Sequence, residues 1–393
     1  MIATGLDRLL SEPGRLSGRR FGLLAHGASL TRDLVPAHLA LQRAGFTPGA
    51  LFGPEHGYYG VEQDMVPAAD ARDPWTGAPI LSLYGDAEAS LRPSPTAFAG
   101  LDLLIVDLQD VGARYYTFAA TAVWAAEAAL AAGCEVWVLD RPNPLGGEVI
   151  EGNLPEPGCE SFVGAFALPV RHGLTLGEIV RLEARRRGWT GRLEVLALDG
   201  WRRSMLWPDV GRPWIAPSPN MPDFATAILY PGLCLIEATE VSEGRGTTRP
   251  FRLVGAPEID PLALAKRLAA AAVPGVVAVP TYFKPQHQKH RGAACGGVEL
   301  VVTSAEKLPA YRLGVELLRA LRDCAPAACA WRSAPYEFRS DRPAIDLLTG
   351  TAACRRALEQ GHGLERWIAS WAADEATFRA ARRPALLYPE TAA

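Results

Sequence analysis

The residues best suited to chemistry stand in segment 51–60, LFGPEHGYYG, where an apolar run gives way to an acid and an imidazole, Glu55 and His56, set between Pro54 and Gly57. A carboxyl group on a stiff turn at a strand end is a usable acid, base or nucleophile. Four further carboxylates, Asp107, Asp110, Asp140 and Glu243, occur in polar stretches that also hold Arg114, Arg141 and Arg245. Glycosidic cleavage uses such a set: one carboxyl group gives a proton to the leaving oxygen while a second attacks or activates water. Glu55 suits the acid role if Tyr58, Tyr59 and a sheet edge desolvate it. Glu243 is the first choice of partner and Asp110 the second. Asp107 and Asp140 fit helix caps or arginine pairs as well as they fit a site. His56 is open between orienting Glu55, binding a hydroxyl and packing under the turn. Of Tyr115 and Tyr116, one ring is expected in the core and the other against a sugar.

Other chemistries find less support. The first strand-to-helix turn, LLAHGASLTRD, lacks G-x-G-x-x-G, and no G-x-x-x-x-G-K-[ST] occurs, so no nucleotide cofactor is expected. Ser218, in SPN, has no G-x-S-x-G elbow. His287 and His290 in HQKH are flanked by Lys284, Lys289 and Arg291, whose charge opposes a divalent cation; a solvated loop is the preferred reading, and no metal site is expected. SEGRGTT reads equally as an anion cradle or a plain tight loop.

The elements that must position these residues follow from the hydrophobic pattern. RFGLLAH, GALFGPE, PILSLYG, LDLLIVDLQD and EVWVLDRP carry too many consecutive apolar residues for half-solvated strands and suit a parallel sheet covered on both faces. Helical patterns lie between them, and two, LVPAHLALQRAG and YTFAATAVWAAEAALAAG, end in the glycine expected past a helix C-terminus. This alternation predicts an α/β fold, a Rossmann-like doubly wound, mostly parallel sheet. GPEHG, DLQDVGARYY and DRPNPLGG then fall at strand carboxyl ends, where open α/β sheets bind ligands. Thr175 with Glu178 is a capping box, placing His172 in the turn before a helix. The prolines of WIAPSPNMPDFATAILYPG argue against long regular structure and leave Ser218 and Asn220 on a loop. The pattern changes near residue 230. Residues 1–230 are read as the Rossmann-like catalytic domain, and 231–393 as a smaller α+β C-terminal domain closing the cleft, with EATEVSEGRGTTRPF at the junction.

Bulk composition excludes several classes. At 393 residues, 49% hydrophobic and 21% charged, with net charge −3, the chain can bury two cores and offers no bulk charge for nucleic acid or an anionic membrane. Seven scattered cysteines, an odd number in so long a chain, are read as reduced. Asp7, Arg8 and Glu12 interrupt the place where a signal peptide needs its apolar core, so a cytoplasmic protein is expected. The weakly charged run YYTFAATAVWAAEAALAAGC is broken by Glu127 and reads as a buried helix, not a membrane span. Nothing marks an oligomer interface.

The motifs GPEHG, SLYG, DLQDVGARYYTF, LDRPNPLGG, RHGLTLGE, PSPNMP and SEGRGTTRPF, in this order from about Phe21 to Tyr388, resemble the bacterial exo-β-N-acetylmuramidase family of glycoside hydrolases. The resemblance implies a Rossmann-like domain, a smaller second domain, a cleft between them, and release of terminal N-acetylmuramic acid from the non-reducing end of peptidoglycan fragments. It implies that Glu55, in the Pro-Glu-His-Gly motif, is the catalytic glutamate. The substrate's lactyl carboxylate suits a guanidinium fork, so Arg114, Arg141 or Arg245 is expected to select muramic acid over glucosamine. His26, His56, Gln109, Tyr115, Asn143, His172, Ser218 and Asn220 complete the expected substrate-binding set. Two positions depart from the family pattern: His26 stands where an asparagine is common, and tyrosine replaces the usual arginine after Glu-His-Gly. The alternatives are a muropeptide-binding protein without turnover and a hydrolase of a different acidic amino sugar.

Overall fold

A computed structural model describes residues 2–390. Its larger sheet has seven strands: β1 (Phe21–Ala25), β2 (Ala50–Gly53), β3 (Ala71–Arg72), β4 (Pro79–Ser82), β5 (Leu103–Asp107), β6 (Glu135–Leu139) and β7 (Leu193–Leu196), in the order β3-β4-β2-β1-β5-β6-β7. All pairs are parallel except β3 with β4. Without β3, the order is that of a doubly wound dinucleotide-binding sheet, and its direction of growth reverses between β1 and β5. The central strands FGLLA and LLIVD are buried at every position, with Leu23 opposite both Leu51 and Ile105. Burial on both faces is why these strands show continuous apolar runs rather than alternation.

Helices Ala37–Arg43, Phe118–Ala131 and Leu176–Arg186 lie in the crossovers. Phe118–Ala131 is buried nearly all round, which accounts for its apolar sequence; no helix among the described residues is long and apolar enough to cross a membrane. The capping box opens Leu176–Arg186 as expected: the Glu178 amide donates to Thr175 Oγ1 at 3.3 Å and the Thr175 amide to Glu178 Oε2 at 3.1 Å. Three strands had no apolar run to announce them. β3 is two exposed residues, β7 is a half-exposed edge strand containing Glu194, and β8 (Leu253–Ala256) is short.

The second domain has a three-stranded antiparallel sheet, β8-β10-β9, with β9 (Val276–Phe283) at an edge and β10 (Cys295–Val302) in the middle. The edge position tolerates Pro280, which has no amide to give a ladder. Helix Pro261–Ala270 starts at Asp260, whose carboxylate accepts the Leu262 amide at 2.9 Å. The segment 214–232 departs from its expected irregularity. Asp223 accepts the Thr226 amide at 2.7 Å and starts helix Phe224–Leu233, which holds Pro231 in its last turn. That helix packs closely against Ala310–Cys324: a Cβ on Gly314 would run into the Gly232 carbonyl.

One continuous apolar core spans both sheets. Helix Leu364–Arg382 leads the chain back to the first domain, where the Tyr388 hydroxyl donates to Asp140 Oδ2 at 2.6 Å and accepts the Leu198 amide at 2.8 Å. All seven cysteines are free, and only Cys324 is exposed.

Candidate active site

The turn after β2 is rigid for local reasons. The Gly57 amide closes on the Pro54 carbonyl at 2.9 Å, and a Cβ on Gly53 would come within 2.5 Å of the Tyr58 amide nitrogen, so the turn folds tightly over the strand end. His56 has φ +71°, a left-handed conformation that non-glycine residues adopt at a cost of ~1–3 kcal/mol. Its Nδ1 meets the Glu62 carbonyl at 2.9 Å, tying the turn to the following loop. Glu55, between Pro54 and His56, is buried, with Oε2 accepting the Thr117 hydroxyl at 2.7 Å and Oε1 the Met65 amide at 3.4 Å. Thr117 immediately precedes helix Phe118–Ala131, so chain segments following β2 and β5 meet at this carboxyl group.

Glu55 and His56 face a narrow cavity that is partly open to solvent. The first domain also contributes Asp64, Tyr115, Tyr116 and Thr117, and the loop before helix Phe224–Leu233 contributes Ser218 and Asn220. Tyr230, Glu237, Arg245, Phe251, Tyr336 and Glu337 form much of the remaining wall. Both tyrosines expected to divide between core and site line the cavity, although the Tyr115 hydroxyl donates to the Pro231 carbonyl at 3.1 Å. Asn220 donates to Gln63 Oε1 at 3.1 Å, and Ser218 lies beside the Tyr116 phenol.

Arg245 organises the charge. It lies 2.8 Å from Glu237, 3.3 Å from Glu243 and 3.4 Å from Asp64, and covers the Phe251 ring at 4.8 Å. Burial works against its charge, but Glu237, Asp64 and Glu243 outweigh it and hold the guanidinium well above its ordinary range. Glu237 also accepts the Tyr336 hydroxyl at 2.7 Å. Glu243 sits behind Arg245, outside the cavity lining, paired with Lys289 at 2.9 Å. Burial opposes its ionisation, but Lys289 and Arg245 prevail and bring its pKa to about 2. The 284–291 segment is therefore not merely a solvated loop: Lys289 also donates to the Ile236 and Val241 carbonyls, and His290 meets the Glu240 carbonyl at 2.9 Å.

Glu337 is the carboxyl group least provided for. It is buried, its Oε2 has no hydrogen-bond partner, and the Tyr84 phenol lies against it. Burial first, then repulsion from Glu55, Glu237 and Asp64, push it well above the usual carboxylate range, with Arg245 opposing. Its backbone is also unusual. Tyr336 and Arg339 exchange two amide-to-carbonyl bonds of 2.9 Å, and the two residues between them, Glu337 and Phe338, have φ +47° and +65°. Asn-Gly commonly supplies that hairpin geometry; here a glutamate and a phenylalanine adopt it.

Several expected site residues lie elsewhere. Arg141 forks onto Asp107 at 2.6 and 2.8 Å. Arg114 is buried and donates at 2.8 Å to the Asn153, Leu168 and Leu348 carbonyls. Neither lines the cavity. Asp110 accepts the Gly112 amide at 2.6 Å and lies 3.5 Å from His172 Nε2, and it does not line Glu55's cavity. Asn143 joins Leu145 to Leu174, and Gln109 donates to the Asp110 and Pro142 carbonyls. His26 is buried between the Ala28 and Gln109 amides; burial, then Arg141 and His56, lower its pKa to about 3 and keep it neutral. Asp140 binds Thr175, Gly177 and Tyr388, and burial, against these bonds, raises its pKa to about 6.

Among the lining residues that sequence reasoning missed are Thr117, Asp64, Glu237, Tyr336 and Glu337. Thr117 stood within the motif DLQDVGARYYTF and was legible there, whereas APYEFRS around Glu337 carries no pattern that points to a site. Among the described residues, no cluster of three or more His, Cys, Asp or Glu side chains is arranged to hold a metal ion.

Comparison with known proteins gives concordant matches. The family model described as exo-β-N-acetylmuramidase NamZ, N-terminal, matches residues 21–225, and its C-terminal counterpart matches residues 228–388. The peptidoglycan β-N-acetylmuramidase NamZ of Bacillus subtilis is 37% identical over 389 residues, covering 98% of this chain and 91% of that protein. Two crystal structures of DUF1343 family proteins from Bacteroides fragilis superpose along the chain. One has TM-score 0.87 at 30% identity, covering 99% of both chains; the other has 0.79 at 27%, covering 100% of both.

Proposed function

Since the chain belongs to the exo-β-N-acetylmuramidase NamZ family, we propose that it is a glycosidase that removes a terminal β-linked N-acetylmuramic acid from the non-reducing end of peptidoglycan fragments. Glu55 is the general acid in this reading. The observation that carries it is the setting of Glu55: a buried carboxyl group on a locked turn, oriented by Thr117, at a cavity walled by both domains. A hydroxyl donor at 2.7 Å and a tight turn hold the acid in one position, which is what proton transfer to a glycosidic oxygen requires.

Of the three candidate arginines, Arg245 alone lines the cavity, so it is the one proposed to meet the lactyl carboxylate. Its existing carboxylate partners would share the guanidinium with that ligand. The test is hydrolysis of a chromogenic β-N-acetylmuraminide beside the matching β-N-acetylglucosaminide by wild type and Glu55→Gln. Release from the muraminide, abolished in the variant, is expected. A folded wild type that releases nothing, or a Glu55→Gln enzyme with undiminished turnover, would sink the respective part of the reading.

A further inference from the structure

Glu337 has no role in the reading so far, yet three observations set it apart. It lines the cavity that Glu55 lines, contributed by a distant part of the chain. Its Oε2 is buried and makes no hydrogen bond of ordinary geometry, with the Tyr84 phenol, also unpartnered, as its nearest polar neighbour, so that oxygen is left open to a ligand at the cavity. It is carried by a two-residue hairpin loop whose residues are both left-handed and neither is glycine. Backbone strain of this kind persists where the surrounding structure requires a particular side chain at a particular place.

Charge decides in which form Glu337 works. It faces Glu55 on the turn after β2, Asp64 on the next loop, Glu237 on the 234–238 segment, the Tyr84 phenol after β4, Tyr336 beside it, and the Arg245 guanidinium, which opposes the acids. Arg245 is already committed to Glu237, Glu243 and Asp64. An ionised Glu337 would add a further negative charge to this wall and would repel an acidic sugar.

We propose that Glu337 binds the substrate as a neutral carboxylic acid, donating a hydrogen bond from its unpartnered oxygen to an acceptor oxygen of the bound amino sugar. This rests on the muramidase reading for the identity of the sugar. Two oxygens share the required chemistry: the lactyl carboxylate, the stronger acceptor and unique to muramic acid, and the acetamido carbonyl, present also in N-acetylglucosamine. A neutral acid in a site of this kind supplies a donor where a carboxylate supplies only acceptors.

Calorimetric titration of the full-length protein with free N-acetylmuramic acid and with N-acetylglucosamine, from mildly acidic to mildly alkaline pH, tests this without relying on turnover. Wild-type affinity is expected to fall as pH rises and Glu337 ionises. Glu337→Gln, whose amide is a donor at every pH, is expected to bind within about threefold of the low-pH wild type and to lose that pH dependence. Glu337→Ala, checked for folding by thermal unfolding, should weaken binding about tenfold or more, the scale of one lost hydrogen bond to a charged or strongly polar group. A loss confined to muramic acid assigns the acceptor to the lactyl carboxylate, and an equal loss on both sugars assigns it to the acetamido group; each supports the proposal. A Glu337→Gln protein as impaired as the Ala variant, a pH dependence that survives in Glu337→Gln, or a wild type that binds neither sugar would overturn it. The pH comparison needs only the Gln variant and stands if Glu337→Ala fails to fold. A wild type that binds muramic acid but hydrolyses no muraminide would sink the hydrolase reading and leave the Gln and Ala comparison to decide on Glu337.

Discussion

Thr117 and Arg114 are three residues apart and do opposite things. The Thr117 hydroxyl reaches Glu55 at 2.7 Å, whereas the Arg114 guanidinium is buried among three backbone carbonyls. Thr117→Val keeps the shape and removes the hydroxyl, and a lost hydrogen bond to a group that ionises is worth ~1.5–3 kcal/mol, so kcat is expected to fall roughly ten- to a hundredfold with the unfolding midpoint little changed. Arg114→Met should act in reverse. It leaves buried carbonyls unpaired, for which a stability loss of ~3 kcal/mol or more is expected in urea unfolding. Enzyme that remains folded should keep its preference for muraminide over glucosaminide; a selective loss of that preference would restore Arg114 to the substrate site. Both residues stood in one recognisable motif, and the sequence marked the motif without marking which side chain turned inward. At Glu337 there was no motif, only a glutamate in an irregular segment.

At the scale of elements, the site depends on a close helix crossing beside the junction of the two domains. The crossing of helices Phe224–Leu233 and Ala310–Cys324 places Gly314 against the Gly232 carbonyl, and Tyr230 of the first helix lines the cavity. Gly314→Ala is expected to destabilise by ~1–3 kcal/mol or more through overpacking, since the obstacle is backbone that cannot rotate away. The same variant should lower hydrolysis at temperatures where it remains folded, because Tyr230 on the displaced helix shifts in the cavity wall; stability and activity unchanged from wild type would show that the helices separate at no cost. This contact was not legible beforehand. The prolines in 214–232 suggested irregular structure, yet Asp223 supplies an N-cap and Pro231 falls in the final turn, where a missing amide costs less than in a helix interior.

For the whole molecule, pH acts through groups whose protonation differs between folded and unfolded chains. His26 is held neutral down to about 3, whereas an unfolded histidine takes a proton near 6.5. Below about 6.5 the unfolded chain therefore binds more protons than the native one, and the His26 contribution is present above that pH and lost progressively as pH falls towards 3. Glu243, lowered to about 2, acts in the same direction from about 4.5 downwards. Asp140 opposes them between about 3.8 and 6: the fold keeps its proton to about 6, so its contribution is present at low pH and lost as pH rises through that window. Urea unfolding as a function of pH should therefore show stability falling on the acid side. His26→Asn is expected to trail wild type by less at pH 4 than at pH 7; a gap that stays constant would mean that His26 does not titrate across the transition.

What the sequence determined by itself was set by local and periodic forces. Runs such as FGLLA and LLIVD are stable only when covered on both faces, the Thr175–Glu178 box caps its own helix, and PEHG closes a turn that sets Glu55 at a strand end. Those features fixed the doubly wound sheet and the place of the principal carboxyl group. Only the tertiary structure decided which charged groups face one another. Arg141 meets Asp107 across 34 positions and Lys289 meets Glu243 across 46, while Glu337 comes to the cavity from a strained hairpin far along the chain. Long-range pairing leaves no periodic trace in sequence, because the energy of a buried charge depends on what the folded chain brings beside it.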